Sequence, residues 1–152
     1  MTLMRIEEAI QQSRFKDEWH KATVNLMYTN NWLVDKIKSA LKKEGVTMQQ
    51  YNVLRILRGS HPRPISTASI RDRMLDKMSD ASRIVDRLVK KGWVERSTCE
   101  QDKRLVDVVI TQQGLDLLAQ IDRDRSEIEL VLSQLSEEEA QTLNQLLDKI
   151  RE

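Results

Sequence analysis

Two sets of side chains in this 152-residue sequence have the types and the spacing to act on a polyanion. The first is Ser79, Asp80, Ser82, Arg83, Asp86, Arg87 and Lys90, which share one face of a helical pattern whose other face carries Ile84, Val85, Leu88 and Val89. An α-helix fits the major groove of DNA, and an Arg can bond bidentately to guanine O6 and N7. Ser hydroxyls and a helix N-terminus suit phosphates or base edges. Arg83 is read as a DNA contact because it lies within two turns of the N-terminus, the part that enters deepest. Asp86 is read differently, as half of a solvated pair with Lys90 at i,i+4 spacing. The second set is Asp102, Lys103 and Arg104, at the end of a polar run from Cys99 between two segments of strand pattern. Ser66, placed to cap another short helix, completes the candidate DNA-facing residues.

No other residues assemble a catalytic group. The sequence has no Cys–His or Ser–His–Asp grouping and no GxxxxGK[ST] phosphate loop, so an enzyme is disfavoured and no cofactor is expected. His20 and His61 stand far apart without a second ligand, which argues against a metal. The single cysteine, Cys99, excludes a disulfide framework and a CxxC zinc site. Arg96 would favour its thiolate and Glu100 opposes that, so a sensing role is disfavoured. Trp19, Tyr28 and Trp32 have two readings: the wall of an effector pocket, or core.

Composition describes the scaffold that must position these residues. Four Gly and two Pro leave little material for turns, which favours long helices over a sandwich or barrel. Hydrophobic residues make up 39% and charged residues 32%, enough for a core and against wholesale disorder. Three Trp, two Tyr and one Phe are too few for a base-stacking platform. No apolar run approaches the roughly 20 residues of a membrane span, and the start shows no signal-peptide pattern. A soluble, cytoplasmic, mainly α protein with no membrane association is expected. The net charge of +1 hides an asymmetry: residues 1–54 sum to +2, residues 55–111 to +5 and residues 112–152 to −6. A basic middle beside an acidic tail suggests a polyanion-facing module, and segregated solvated helix faces are the alternative.

Along the chain, Leu3 to Gln12 reads as a short amphipathic helix with Ile6, Ala9 and Ile10 inward. Asp17 to about Lys43 reads as a long helix. Its stripe of Leu26, Leu33, Ile37 and Leu41 is widened by Val24, Met27, Tyr28 and Val34, so it must be covered on more than one side. Gly45 ends it, and Thr47-Met48-Gln49-Gln50 is a capping box for the next helix, with Tyr51, Val53, Leu54, Ile56 and Leu57 inward. Gly59 and His61-Pro62-Arg63-Pro64 stop that helix. Ser66 or Thr67 caps another that ends near Leu75, Ser79 opens the polar-faced helix, and Gly92 closes it. The period then changes to that of strands over Trp93 to Thr98 and Val106 to Ile110, a hairpin. Thr111 caps a long helix with Leu118, Ile121, Ile128, Val131, Leu132 and Leu135 along one side. Ser136-Glu137-Glu138-Glu139 is a second capping box, opening a helix with Leu143, Leu146, Leu147 and Ile150.

Helix, helix, short turn, helix and a two-stranded hairpin is the order of a winged helix-turn-helix. The stretch Ser82-Arg83-Ile84-Val85-Asp86-Arg87-Leu88-Val89-Lys90-Lys91-Gly92-Trp93-Val94-Glu95-Arg96, with Asp102-Lys103-Arg104 and Ile110-Thr111-Gln112-Gln113-Gly114, resembles the MarR family of bacterial regulators, named for multiple antibiotic resistance. In that family the wing carries Asp-x-Arg, and its second strand runs into Leu-Thr-x-x-Gly. Here Ile110 replaces the Leu, and Arg71 stands where many members have a small Ala. The helix-turn-helix otherwise matches without a gap from Ile65, and the resemblance covers nearly the whole chain.

The resemblance implies a homodimer whose terminal helices interlock. Ile6, Ile10, Leu143, Leu147 and Ile150 would supply the contact, with packing inside one chain as the alternative for these apolar faces. It also implies that the wing reaches a minor groove, with Arg104 inserted and Asp102 bracing the tip. A narrow groove concentrates negative potential there, and a surface salt bridge is the alternative. The expectation is a single domain over 1–152, with a DNA-binding lobe at 46–111 flanked by dimerisation helices at 1–44 and 112–152. It would act as a homodimeric, sequence-specific transcription regulator on a pseudo-palindromic DNA operator, a repressor relieved by a small-molecule effector. A winged-helix module that binds protein and not DNA is the alternative. The outward Arg83, Arg87, Lys103 and Arg104 speak against it, because protein interfaces lose charge at their centre.

Overall fold

In the computed structural model, which describes residues 4–98, 106–123 and 130–151, capping residues set where the helices begin. The first helix, α1 (Ile6–Ala9), is a single turn and shorter than Leu3 to Gln12. Gln11 takes a φ of +52°, a left-handed conformation through which a right-handed helix cannot continue. α2 (Glu18–Lys42) opens at Asp17, whose carboxylate accepts the His20 N–H at 2.7 Å. Lys21 on α2 reaches Glu7 on α1 at 2.5 Å, and its ammonium holds the Glu7 carboxyl below the ordinary glutamate value. α3 (Met48–Ser60) starts from the expected reciprocal box. The Thr47 hydroxyl accepts the Gln50 N–H, and the Gln50 side chain accepts the Thr47 N–H, both at 3.1 Å.

The next strand, β1 (Ile65–Ser66), runs directly into α4 (Thr67–Arg73), which Ser66 caps by accepting the Ser69 N–H at 3.1 Å. α5 (Ala81–Lys90) follows, then β2 (Val94–Thr98) and β3 (Val106–Ile110). The strands form one antiparallel sheet in the order β1-β3-β2. The register runs from Val94↔Ile110 to Thr98↔Val106, with Ile65↔Val108 on the other edge of β3. The hairpin is as expected, but β1 adds a third strand that two residues are too few to reveal by alternation. α6 (Gln112–Arg123) and α7 (Glu137–Lys149) complete the described elements, and Ser136 with Glu139 forms the second capping box.

Leu54, Leu57, Ile70, Val85, Leu88, Val94, Val108 and Leu118 meet in the core, joined by Leu41 from the end of α2. The α6 junction is a close approach of helix to sheet. Thr111 donates its hydroxyl to the Gly92 carbonyl at 2.7 Å and accepts the Gly114 N–H at 3.2 Å. A Cβ on Gly114 would lie 2.3 Å from the Trp93 carbonyl oxygen, so only glycine lets the helix start this close to the sheet.

Two further expectations are corrected, and two apolar faces are left partly open to solvent. α2 buries Leu41, packs Ile37 against the core and half-buries Val24, Leu33 and Val34, while Leu26, Met27, Tyr28 and the neighbouring Trp32 are exposed. Val89, read as inward on α5, is exposed. The helix from Thr111 does not run on to Leu135: α6 is described as far as Arg123, residues 130–134 form turns, and Leu132 is exposed. Ile128 lies outside the described residues. α7 has no fully buried residue: Leu143 and Leu147 are half-buried, and Leu146 and Ile150 are exposed.

Candidate nucleic-acid interface

Nine of the 10 residues of α5 divide between a buried apolar face and an exposed polar one, and Val89 is the exposed exception. Ala81, Ile84, Val85 and Leu88 are buried, while Ser82, Arg83, Asp86, Arg87 and Lys90 are exposed. The buried face anchors the helix on the core shared with α3 and α4, and leaves three cations and a hydroxyl facing solvent along one side. The helix begins one residue later than the sequence suggested, with Asp80 and not Ser79 as its cap. Asp80 accepts the Arg83 N–H at 3.1 Å and lies 3.4 Å from the Arg83 guanidinium. Its carboxylate is therefore turned onto its own helix. Ser79 is half-buried in the preceding turn, where its hydroxyl donates to Asp76 at 2.7 Å.

Asp76 organises that turn. It accepts the Ser79 hydroxyl and the Met78 N–H, and these bonds hold its carboxyl below the ordinary aspartate value. Asn52 on α3 accepts the Leu75 N–H at 2.9 Å, which pins the start of the same turn. Asp76 and Asn52 were not among the sequence candidates. An Asp that accepts the backbone N–H two residues on, as Asp76 does from Met78, is a recognised turn signal, but the Asn52 bond spans 23 residues and leaves no local trace.

Asp86 does not pair with Lys90. It bonds Arg96 on β2 at 2.5 Å, tying the exposed face of α5 to the first strand of the hairpin. Lys91 extends the link backwards: its ammonium donates to the Gly45 carbonyl at 2.7 Å and lies 4.5 Å from the centre of the Trp93 ring. Ser66 is half-buried, with its hydroxyl accepting in the α4 cap and its backbone paired to Asp107. Asp102, Lys103, Arg104 and Cys99 lie outside the described residues, between β2 and β3.

Of the terminal apolar residues, Ile6 is buried, Ile10, Leu143 and Leu147 are half-buried, and Ile150 is exposed. Tyr28 and Trp32 line a crevice of about 650 Å³ with Met4, Ile6, Ala9 and Leu135. Trp19 is apart from it and 82% exposed, so it is neither core nor crevice wall. Tyr28 and Trp32 are each 41% exposed, which removes the core reading for them as well.

The sequence model described as "MarR family" matches residues 46–106. The HTH-type transcriptional regulator PecS of Dickeya dadantii is 30% identical over 119 residues, covering 77% of this chain and 70% of PecS. The chain belongs to the MarR family. The transcriptional repressor MprA of Escherichia coli is 24% identical over 62% of this chain, and the match spans 54% of MprA's own length. Among solved structures, a cysteine-to-serine mutant of E. coli MarR complexed with operator DNA is 26% identical, with a TM-score of 0.76 over 91% of this chain and 99% of that one.

This MarR-family chain is a transcription regulator of winged helix-turn-helix fold, and its two departures from the family pattern are easily accommodated. Ile110 is 3% exposed in the core, where Ile for Leu conserves volume. Arg71 points to solvent beside Asp72, so its bulk meets no core packing. No helix among the described residues is long and apolar enough to cross a membrane.

Proposed function

We propose that the chain acts as a homodimer that binds a pseudo-palindromic operator in double-stranded DNA and represses transcription until a small-molecule effector releases it. The observation that carries this reading is the exposed row Ser82, Arg83, Arg87 and Lys90 on a helix whose other face is locked into the core. That is the form a major-groove reader requires. The operator complex of E. coli MarR and the repressor name of MprA support the same reading. Residues 46–111 would be the DNA-binding lobe, with 1–44 and 112–152 supplying the dimer contact. α7, which has no fully buried residue, supports that division, since an isolated helix of 13 residues is not stable in water.

In this scheme Arg83 contacts a guanine, Arg87 and Lys90 contact phosphates or flanking bases, and Arg104 enters a minor groove with Lys103 near phosphate and Asp102 bracing it. The two recognition helices must sit about 34 Å apart to enter successive major grooves. An effector seated beside Tyr28 and Trp32 lowers DNA affinity by its preference for a different spacing, and by no more than that preference. The regulator works without catalysis, in the cytoplasm. Selection from a pool of randomised duplexes tests the reading. An inverted repeat with half-sites about one helical turn apart is expected. Enrichment of no sequence would overturn it.

A further inference from the structure

Both oxygens of the Asp80 carboxylate face Arg83. Oδ1 accepts the Arg83 backbone N–H at 3.1 Å, while Oδ2 lies 3.4 Å from Nε of the guanidinium. The first bond is a helix cap that Asn or Ser would supply equally well. The second is not needed for capping, and among good capping residues only Asp places a negative charge beside Nε. The Arg83 side chain is 81% exposed and has no other partner among the described residues, so its two Nη groups are free while its Nε edge is occupied.

We propose that Asp80 is a positioning residue for base reading: it holds the Arg83 side chain over its own helix, so that the Nη1/Nη2 edge is presented end-on to guanine O6 and N7. This rests on Arg83 being a base contact, as proposed above. An unrestrained Arg on a helix surface samples many rotamers and is drawn to the nearest phosphate, whatever the sequence. Ordering such a side chain at the moment of binding costs affinity, and ordering it beforehand recovers that loss for the correct site alone. As an exposed pair, Asp80 and Arg83 add little to folding, so their effect belongs to recognition.

The test compares the wild type, Asp80→Asn, Arg83→Ala and the double variant, each selected against the same randomised duplex pool and then titrated with the selected duplex and a shuffled one. Asp80→Asn keeps an oxygen for the Arg83 N–H but removes the charge beside Nε, so thermal stability should be unchanged. Guanine preference should decline at the position that Arg83→Ala abolishes. The affinity ratio of selected to shuffled duplex should fall about 2- to 10-fold, the factor associated with ordering one long side chain. In the Arg83→Ala background the second substitution should change that ratio no further. If Asp80→Asn retains the full preference while Arg83→Ala loses it, Asp80 does not position Arg83 and the base contact stands. If Asp80→Asn lowers the ratio equally in both backgrounds, Asp80 acts alone and the proposal is wrong. If Arg83→Ala retains the preference, the base contact itself is wrong and the positioning role goes with it. Should Asp80→Asn lose stability, Asp80→Ser, which also caps, must show the same loss of preference, or the proposal fails.

Discussion

Replacing Gly114 by Ala should destabilise the protein, although Ala is the better helix former. The new Cβ would stand 2.3 Å from the Trp93 carbonyl oxygen and 2.7 Å from Ile110 Cγ1. The first distance is more than an ångström short of the ordinary contact of about 3.5–4.0 Å. Neither neighbour can yield cheaply: the Trp93 oxygen accepts the Thr111 N–H at 3.0 Å, and Ile110 is 3% exposed. Overpacking of this kind costs about 1–3 kcal/mol, and disturbing the Thr111 bond adds about 0.5–1.5 kcal/mol. Helix propensity returns at most about 1 kcal/mol, leaving a net loss of about 2 kcal/mol. For a chain of this size that lowers the melting temperature by about 4–8 °C. Gly59→Ala is the control of opposite sign. Gly59 lies in α3 without a positive φ, and its added methyl would meet only the flexible Arg73 Nη2 at 3.8 Å. It should gain about 0.5–1 kcal/mol. Melts followed by circular dichroism decide both, and a Gly114→Ala protein as stable as the wild type would refute the close approach of α6 to the sheet.

Deleting residues 136–152 removes α7 and should give monomer or aggregate that no longer binds the selected duplex; sedimentation showing an intact, DNA-competent dimer would refute its part in assembly. Asp76→Asn should destabilise the protein at neutral pH, because the bonds from Ser79 and Met78 favour the carboxylate. A group whose folded pKa is depressed contributes stability above its unfolded pKa and loses it as pH falls through the folded one. The gap between the wild-type and Asp76→Asn melting temperatures should therefore be widest near pH 7 and close below the ordinary aspartate value. A gap that stays constant down to acid pH would contradict this.

Local signals in the sequence carried far. The Thr47/Gln50 and Ser136/Glu139 boxes and the β2–β3 hairpin are short-range patterns that appear where their residues placed them, and the two faces of α5 do so except at Val89 and Ser79. What was missed depends on contacts between distant segments. Asp86 had an acceptable local partner in Lys90, and only the fold brings Arg96 closer. Ser79 and Asp80 are equally good caps by type, and the choice between them follows from the Asp76 turn that occupies the Ser79 hydroxyl. The apolar spacing through Leu132 and Leu135 imitates a continuing helix. Leu135 instead belongs to a turn that brings it beside Tyr28 and Trp32. The apolar stripes of α2 and α7 are legible from sequence, but which of their residues stay exposed in one chain, such as Leu26, Met27, Leu146 and Ile150, is not.

The central claim is that the exposed face of α5 reads DNA sequence, and Arg83→Ala tests it most directly. Binding of the wild type and the variant should be measured on the selected duplex and on a shuffled duplex of equal length and composition, at the same salt concentration. Loss of a bidentate guanine contact should cost about 1–3 kcal/mol on the selected duplex, about 5- to 150-fold in Kd, with little change on the shuffled one. Equal weakening on both would contradict the claim, because it would show that Arg83 meets only the phosphate backbone.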